Sequence, residues 1–142
     1  MLFPKKVKHR KWHKMRKSPA KMARPDTRGI SISFGAYGLK SEEGGRLKSN
    51  QLEAARKAMS RALGKTGRYW FRVFPDRPVT AKPAEVGMGG GKGDLQAYSV
   101  EVRPGRVIFE VDGVTQAIAK EALRKAGTKL PVKTKVVSRE IA

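Results

Sequence analysis

A chain of 142 residues suits one domain with a modest core, and a hydrophobic content of 39% is enough to build one. Its 32 Lys and Arg face only 12 Asp and Glu, a formal charge of +20 that repels itself in a folded monomer unless a polyanion balances it. The lack of cysteine excludes disulfides, thiolate metal sites and Cys nucleophiles, and no apolar run approaches the length of about eighteen that a membrane-spanning helix needs.

Residues 1–28 hold eleven Lys or Arg against one acid, Asp26, so half the net charge sits on a fifth of the chain. Pro4, Pro19 and Pro25 interrupt this segment and apolar periodicity is nearly absent, which predicts a basic arm that orders on a partner. No apolar stretch follows it as a signal peptide would require, so the protein is expected to be soluble and intracellular.

Residues 29–142 are expected to form one globular domain. "GISISFGAYGLKS" (29–41) alternates Ile30, Ile32 and Phe34 with serines, a strand signal, and Gly35 and Gly38 suggest a bulge or a close backbone approach. "SNQLEAARKAMSRALGKTG" (49–67) predicts a helix with Asn50 as N-cap, Glu53 completing a capping box and Gly64 as the stop. Its apolar stripe is Leu52, Ala55, Met59, Ala62 and Leu63, leaving Arg56, Lys57, Ser60 and Arg61 on a basic outer face. "YWFRVF" (69–74) reads as a strand closed by a turn at "PDRP". A glycine-rich loop spans 83–94. "LQAYSVEV" (95–102) and "RVIFEV" (106–111) read as a hairpin turning at Pro104-Gly105. Residues 114–127 predict a second helix capped by Thr115, with Gly127 past its end and Ile118, Ala119, Ala122, Leu123 and Ala126 on the buried side. A last strand is expected in 130–140, with Val132 alternating against Lys133 and Lys135. The order β-β-α-β-β-β-α-β predicts an α+β fold: a mostly antiparallel sheet with two amphipathic helices on one face.

The glycine loop fails as a nucleotide cradle. A P-loop needs Gly five residues before Gly91 and a hydroxyl after Lys92, but Val86 and Gly93 occupy those positions. No nucleophile is set beside a base, and His9 and His13, spaced for one helix face, lack further ligands for zinc. No catalytic residue, metal or cofactor is expected.

The informative stretch is "KKVKHRKWHKMRK" (5–17), in which eight of thirteen residues are Lys or Arg and none is acidic. Lys5, Lys6, Lys8, Arg10, Lys11, Lys14, Arg16 and Lys17 can neutralise phosphates. Trp12 can stack on a base, and His9 and His13 can stack or touch phosphate. Proline and the lack of a continuous apolar face argue against a membrane surface. Cations also fall on every predicted element, which suits a protein enclosed by folded RNA better than one docked in a single groove. A free-standing DNA- or RNA-binding protein is the alternative that charge alone leaves open.

"MLFPKKVKHRKWHK", "SFGAYGLK", "QLEAARKAMSRAL", "FRVFPDRPVTAKPAE", "MGGGKG", "VRPGRVIFEVDGV" and "KLPVKTK" occur in one order along nearly the whole chain. Together they resemble the bacterial large-subunit ribosomal protein sixteen family. The resemblance implies an α/β-hammerhead type of fold and a non-enzymatic, cytoplasmic ribosomal role. It further implies binding to large-subunit rRNA near the central protuberance and the aminoacyl-tRNA site, with help in positioning tRNA and completing assembly. Neighbouring large-subunit proteins are the other implied partners; no homo-oligomer is expected. By position, the arm, Arg56, Arg61 and Arg72 match rRNA-contacting segments, and Met88, Gly89, Gly90, Gly91, Lys92 and Gly93 match a loop close to tRNA. Gly87 and Gly90 stand where the family commonly has basic residues, so Lys92 alone keeps the loop's charge.

Overall fold

Leu39 and Ser41 turn inward with Lys40 between them, and this short stretch is where strand pairing begins. The computed structural model describes residues 4, 24–26, 28–81 and 94–139. Within them the order is β1 (Tyr37–Ser41), β2 (Gly45–Lys48), α1 (Ser49–Leu63), β3 (Arg68–Phe71), β4 (Arg77–Ala81), β5 (Asp94–Val102), β6 (Val107–Asp112), α2 (Gln116–Gly127) and β7 (Thr134–Ser138). The α+β class and the antiparallel pairing match expectation. Instead of one sheet there are two, with orders β3-β6-β1-β7 and β2-β5-β4.

The expected hairpin at Pro104-Gly105 is corrected by this division. The turn is present, with Gly105 at φ 93 and the Arg106 N–H donating to the Arg103 carbonyl. Yet β5 pairs with β2 and β4 while β6 pairs with β1 and β3, so the turn carries the chain between sheets. The β1–β2 connection crosses beside it. Ser41 N–H donates to the Arg106 carbonyl and Gly105 N–H to the Ser41 carbonyl, at 2.9 and 2.8 Å. A turn signal sets a change of direction and leaves the partner strand open.

Other expectations also shift. Residues 30–34 are not a strand, because three of the N–H groups over 33–35 go to a carboxylate rather than to a neighbouring strand. Residues 77–81, read in part as turn, form an edge strand, the place in a sheet where a residue without an N–H, such as Pro78, is tolerated. The last strand is the shorter β7, with Val132 buried just before it.

The first helix follows β2 without a loop. Its N-cap is therefore Lys48, not Asn50, and Lys48 N–H donates to Gln51 Oε1 at 2.9 Å. Gly64 ends it as expected, at φ 72. Leu52, Ala55, Met59 and Leu63 are buried as expected, with Ala62 packed against the core cluster. The second helix is capped by Thr115 Oγ1, which accepts from Ile118 N–H at 3.5 Å. Ile118 itself is 42% exposed, because the buried stripe is Ala119, Ala122, Leu123 and Ala126, and the preceding position lies about 100° round the helix. Gly127 is the last helical residue and not a cap beyond it; a Cβ there would clash with Thr134 Oγ1.

The two helices pack on each other, but they do not share one sheet as expected: α2 lies on β1, β6 and β7 of the four-stranded sheet, and α1 lies against β2 and β5 of the other. Leu39, Phe109 and Val111 join Ala119, Ala122 and Leu123 in one core cluster. Phe71 meets Phe109 edge-on at 5.1 Å. Gly35 is a close approach of the anticipated kind: a Cβ there would lie 2.5 Å from the Val111 carbonyl oxygen. Gly35→Ala is therefore expected to cost about 1–3 kcal/mol through overpacking against backbone. Urea denaturation measures it, and a cost near zero would show that the backbone at Val111 yields freely.

Candidate nucleic-acid interface

On β6, Phe109 and Val111 face the helices, so Glu110 must point to the opposite face of the sheet. In the ladder it sits between Trp70 on β3 and Gly38 on β1. Glu110 is fully buried there. Its Oε1 accepts N–H bonds from Ser33, Phe34 and Gly35 at 3.0, 2.8 and 2.9 Å, and its Oε2 pairs with Arg72 Nη1. Burial alone would push this carboxyl up, but the Gly35 N–H, the Arg72 guanidinium and the Phe34 N–H outweigh it and hold the group below its ordinary value.

The carboxylate thereby straps residues 29–35 over the outer face. Ile32 seats above Gly38, where a Cβ would come within 3.1 Å of its Cγ1. Val107 N–H donates to the Gly29 carbonyl at 2.7 Å. Asp26 continues the strap upstream: its N–H donates to the Pro104 carbonyl at 2.8 Å, and its carboxylate meets Arg103 at 3.2 Å and Arg106 at 3.7 Å. Burial again opposes ionisation of Asp26, and the Arg28 N–H with the two guanidinium groups overcomes it.

Arg72 does several things at once. It pairs with Glu110, donates to the Ser31 carbonyl at 3.3 Å and lies 5.3 Å from the centre of the Phe34 ring. Phe34 in turn lies near-parallel to Trp70, with centroids 6.2 Å apart at 26°. The expected RNA contact at Arg72 is thus also a structural tether, with 18% of its side chain exposed. Arg56 is engaged too. Glu53 Oε1 accepts from its Nε at 3.0 Å, and Arg56 Nη1 donates to Tyr69 Oη at 3.3 Å. The Glu53 bond raises the Arg56 pKa, so its charge is secure. Arg61, by contrast, is exposed at the end of α1.

Further cations lie on several faces: Lys57 and Lys65 by α1, Arg68 on β3, and Lys120 and Lys129 by α2. Lys40, Lys135 and Arg139 border a groove of about 560 Å³ whose apolar lining is Ile30, Ile32 and Val137. Lys5, Lys6, Lys8, His9, Arg10, Lys11, Trp12, His13, Lys14, Arg16 and Lys17 lie outside the described residues, as do Met88, Gly89, Gly90, Gly91, Lys92 and Gly93. Sequence reasoning missed Glu110, Phe34 and Asp26 as organisers. The one available signal was a lone acid inside the otherwise apolar run "VIFEV".

Both strap carboxylates have lowered folded-state pKa values, so their contribution is complete above the ordinary carboxylate range and is lost as pH falls through the lowered values. Stability of the RNA-free protein is expected to decline from about pH 4 downward. Glu110→Gln is expected to lose about 3 kcal/mol at neutral pH by leaving Arg72 without its charge partner, and to show a shallower acid decline. Urea titrations at stepped pH check both; parallel curves for variant and wild type would contradict the role given to the carboxylate.

Comparison with known proteins adds the family. Residues 4–137 match the family described as Ribosomal protein L16p/L10e. The chain is also similar to the large ribosomal subunit protein uL16 of Polaromonas naphthalenivorans (strain CJ2), with 50% identity over 141 residues, covering 99% of each chain.

Proposed function

Because the chain belongs to the ribosomal protein L16p/L10e family, we propose that it binds large-subunit rRNA near the central protuberance and the aminoacyl-tRNA site, helps position tRNA, and helps complete subunit assembly. As a member of this family it is a structural, non-enzymatic protein of the bacterial large subunit, working in the cytoplasm beside neighbouring ribosomal proteins. The observation that carries the reading is the match along almost the whole chain, strings and spacing together.

The charge explains how such binding works. Residues 1–28 act as a basic arm, and Lys5 to Lys17 neutralise phosphates while Trp12 stacks. Asp26 fastens the arm's base beside the Pro104-Gly105 turn. Arg61 and the other exposed cations on separate faces suit RNA that wraps the body, and Arg56 and Arg72 present charge in fixed positions. The body takes the α/β-hammerhead form of the family. The loop at 83–94 approaches tRNA through Lys92 and bare glycine backbone, Gly87 and Gly90 having removed two positive charges.

If the chain makes ~6 phosphate contacts, raising salt from about 50 to 200 mM lowers its affinity for large-subunit rRNA on the order of a thousandfold. Filter binding over that range tests it, and a flat dependence would remove the electrostatic mechanism. Deleting residues 1–17 is expected to impair incorporation into large subunits, read by gradient sedimentation, while urea denaturation shows the body still folded. Equal affinity for duplex DNA and rRNA, with no cosedimentation, would instead mark a free-standing nucleic-acid-binding protein.

A further inference from the structure

β3 is an edge strand, and its alternation puts Arg68 and Trp70 on the outer face of the four-stranded sheet, where Arg72, just past its end, pairs with Glu110. Phe34 is laid against this row by the strap, with its ring near-parallel to Trp70 and 57% of the residue exposed. An exposed phenyl ring on a loose loop would be unremarked surface. This one stands on a backbone whose N–H groups at 33, 34 and 35 all bind one buried carboxylate, so the ring is held in place before any partner arrives. Arg68 is exposed and makes no ion pair among the described residues. Arg72, Phe74 and Arg106 continue the surface as the lining of a hollow, and Phe74 is itself 46% exposed.

Resting on the RNA-binding reading above, we propose that Phe34 and Trp70, flanked by Arg68 and Arg72, form a stacking platform for an unpaired base of the RNA. Single-stranded bases are recognised by aromatic rings interleaved with cations: the ring takes the π-face and the guanidinium groups take the adjoining phosphates. The exposed Arg68 beside the ring also disfavours an apolar protein anchor, which would strip water from its guanidinium without replacing the hydrogen bonds. Glu110 acts here as a positioning residue; it is buried beneath the strap and does not reach the base.

The test compares full-length wild type, Phe34→Leu and Phe34→Tyr for binding to a transcript of the complete large-subunit rRNA at several salt concentrations. Stacking predicts that Phe34→Leu binds on the order of tenfold more weakly, by the same factor at each salt concentration, while Phe34→Tyr binds as wild type. The slope against salt stays unchanged, because no phosphate contact is removed. Urea denaturation of each variant separates this from loss of folding, and the tyrosine variant keeps the ring in any case. Equal binding by Phe34→Leu and Phe34→Tyr overturns the platform while leaving RNA binding intact. Normal RNA binding by Phe34→Leu with failed incorporation into subunits overturns it in favour of a protein contact. No rRNA binding by the wild type removes the underlying reading and the platform with it.

Discussion

A buried carboxylate dominates the outer half of this molecule. Glu110 is sealed from water in a sheet whose neighbouring residues are mostly apolar, and an ion in that position is tolerated only when its lone pairs are satisfied. Three backbone N–H groups and one guanidinium satisfy them. In meeting that demand the chain must bring residues 29–35 across the sheet, and the sheet must have glycine at 38 to admit Ile32 beneath them. One side chain therefore sets the path of a segment that has no ladder of its own.

The same economy governs the other acids. Asp26 is spent on Arg103 and Arg106, and Glu53 on Arg56. Each places an arginine or a length of chain, and with all twelve acids counted the chain still carries a net charge of +20. Internal ion pairs here give position, while exposed residues such as Lys57, Arg61 and Arg68 keep the unbalanced charge at the surface. Such a body is self-repelling alone and is relieved by a polyanion that reaches several faces. The rRNA binding proposed for the chain supplies such a polyanion, and membership of the ribosomal protein L16p/L10e family gives the charge its setting.

Much of this was legible from residue order, and the failures have definite causes. Leu52, Met59 and Leu63 in one helix, and Ala122 and Ala126 in the other, declared buried faces because 3.6-residue spacing leaves few alternatives. The alternation of Ile30, Ile32 and Phe34 misled because a strap can imitate a strand when its donors have a partner far along the chain. Pro104-Gly105 announced a turn correctly and a hairpin wrongly, since local chemistry does not choose between sheets. At the interface, positive charge could be counted in advance. Which arginines were already committed to Glu53 or Glu110 required the fold. The arm and the glycine loop remain readings of composition and resemblance.

A density map of large subunits assembled with this chain tests the account most directly. It should show the 29–35 segment seated on the Glu110 side chain with rRNA against the Phe34 and Arg68 side of the sheet. A subunit without the chain, or with that side open to solvent and the segment lifted from Glu110, would contradict it.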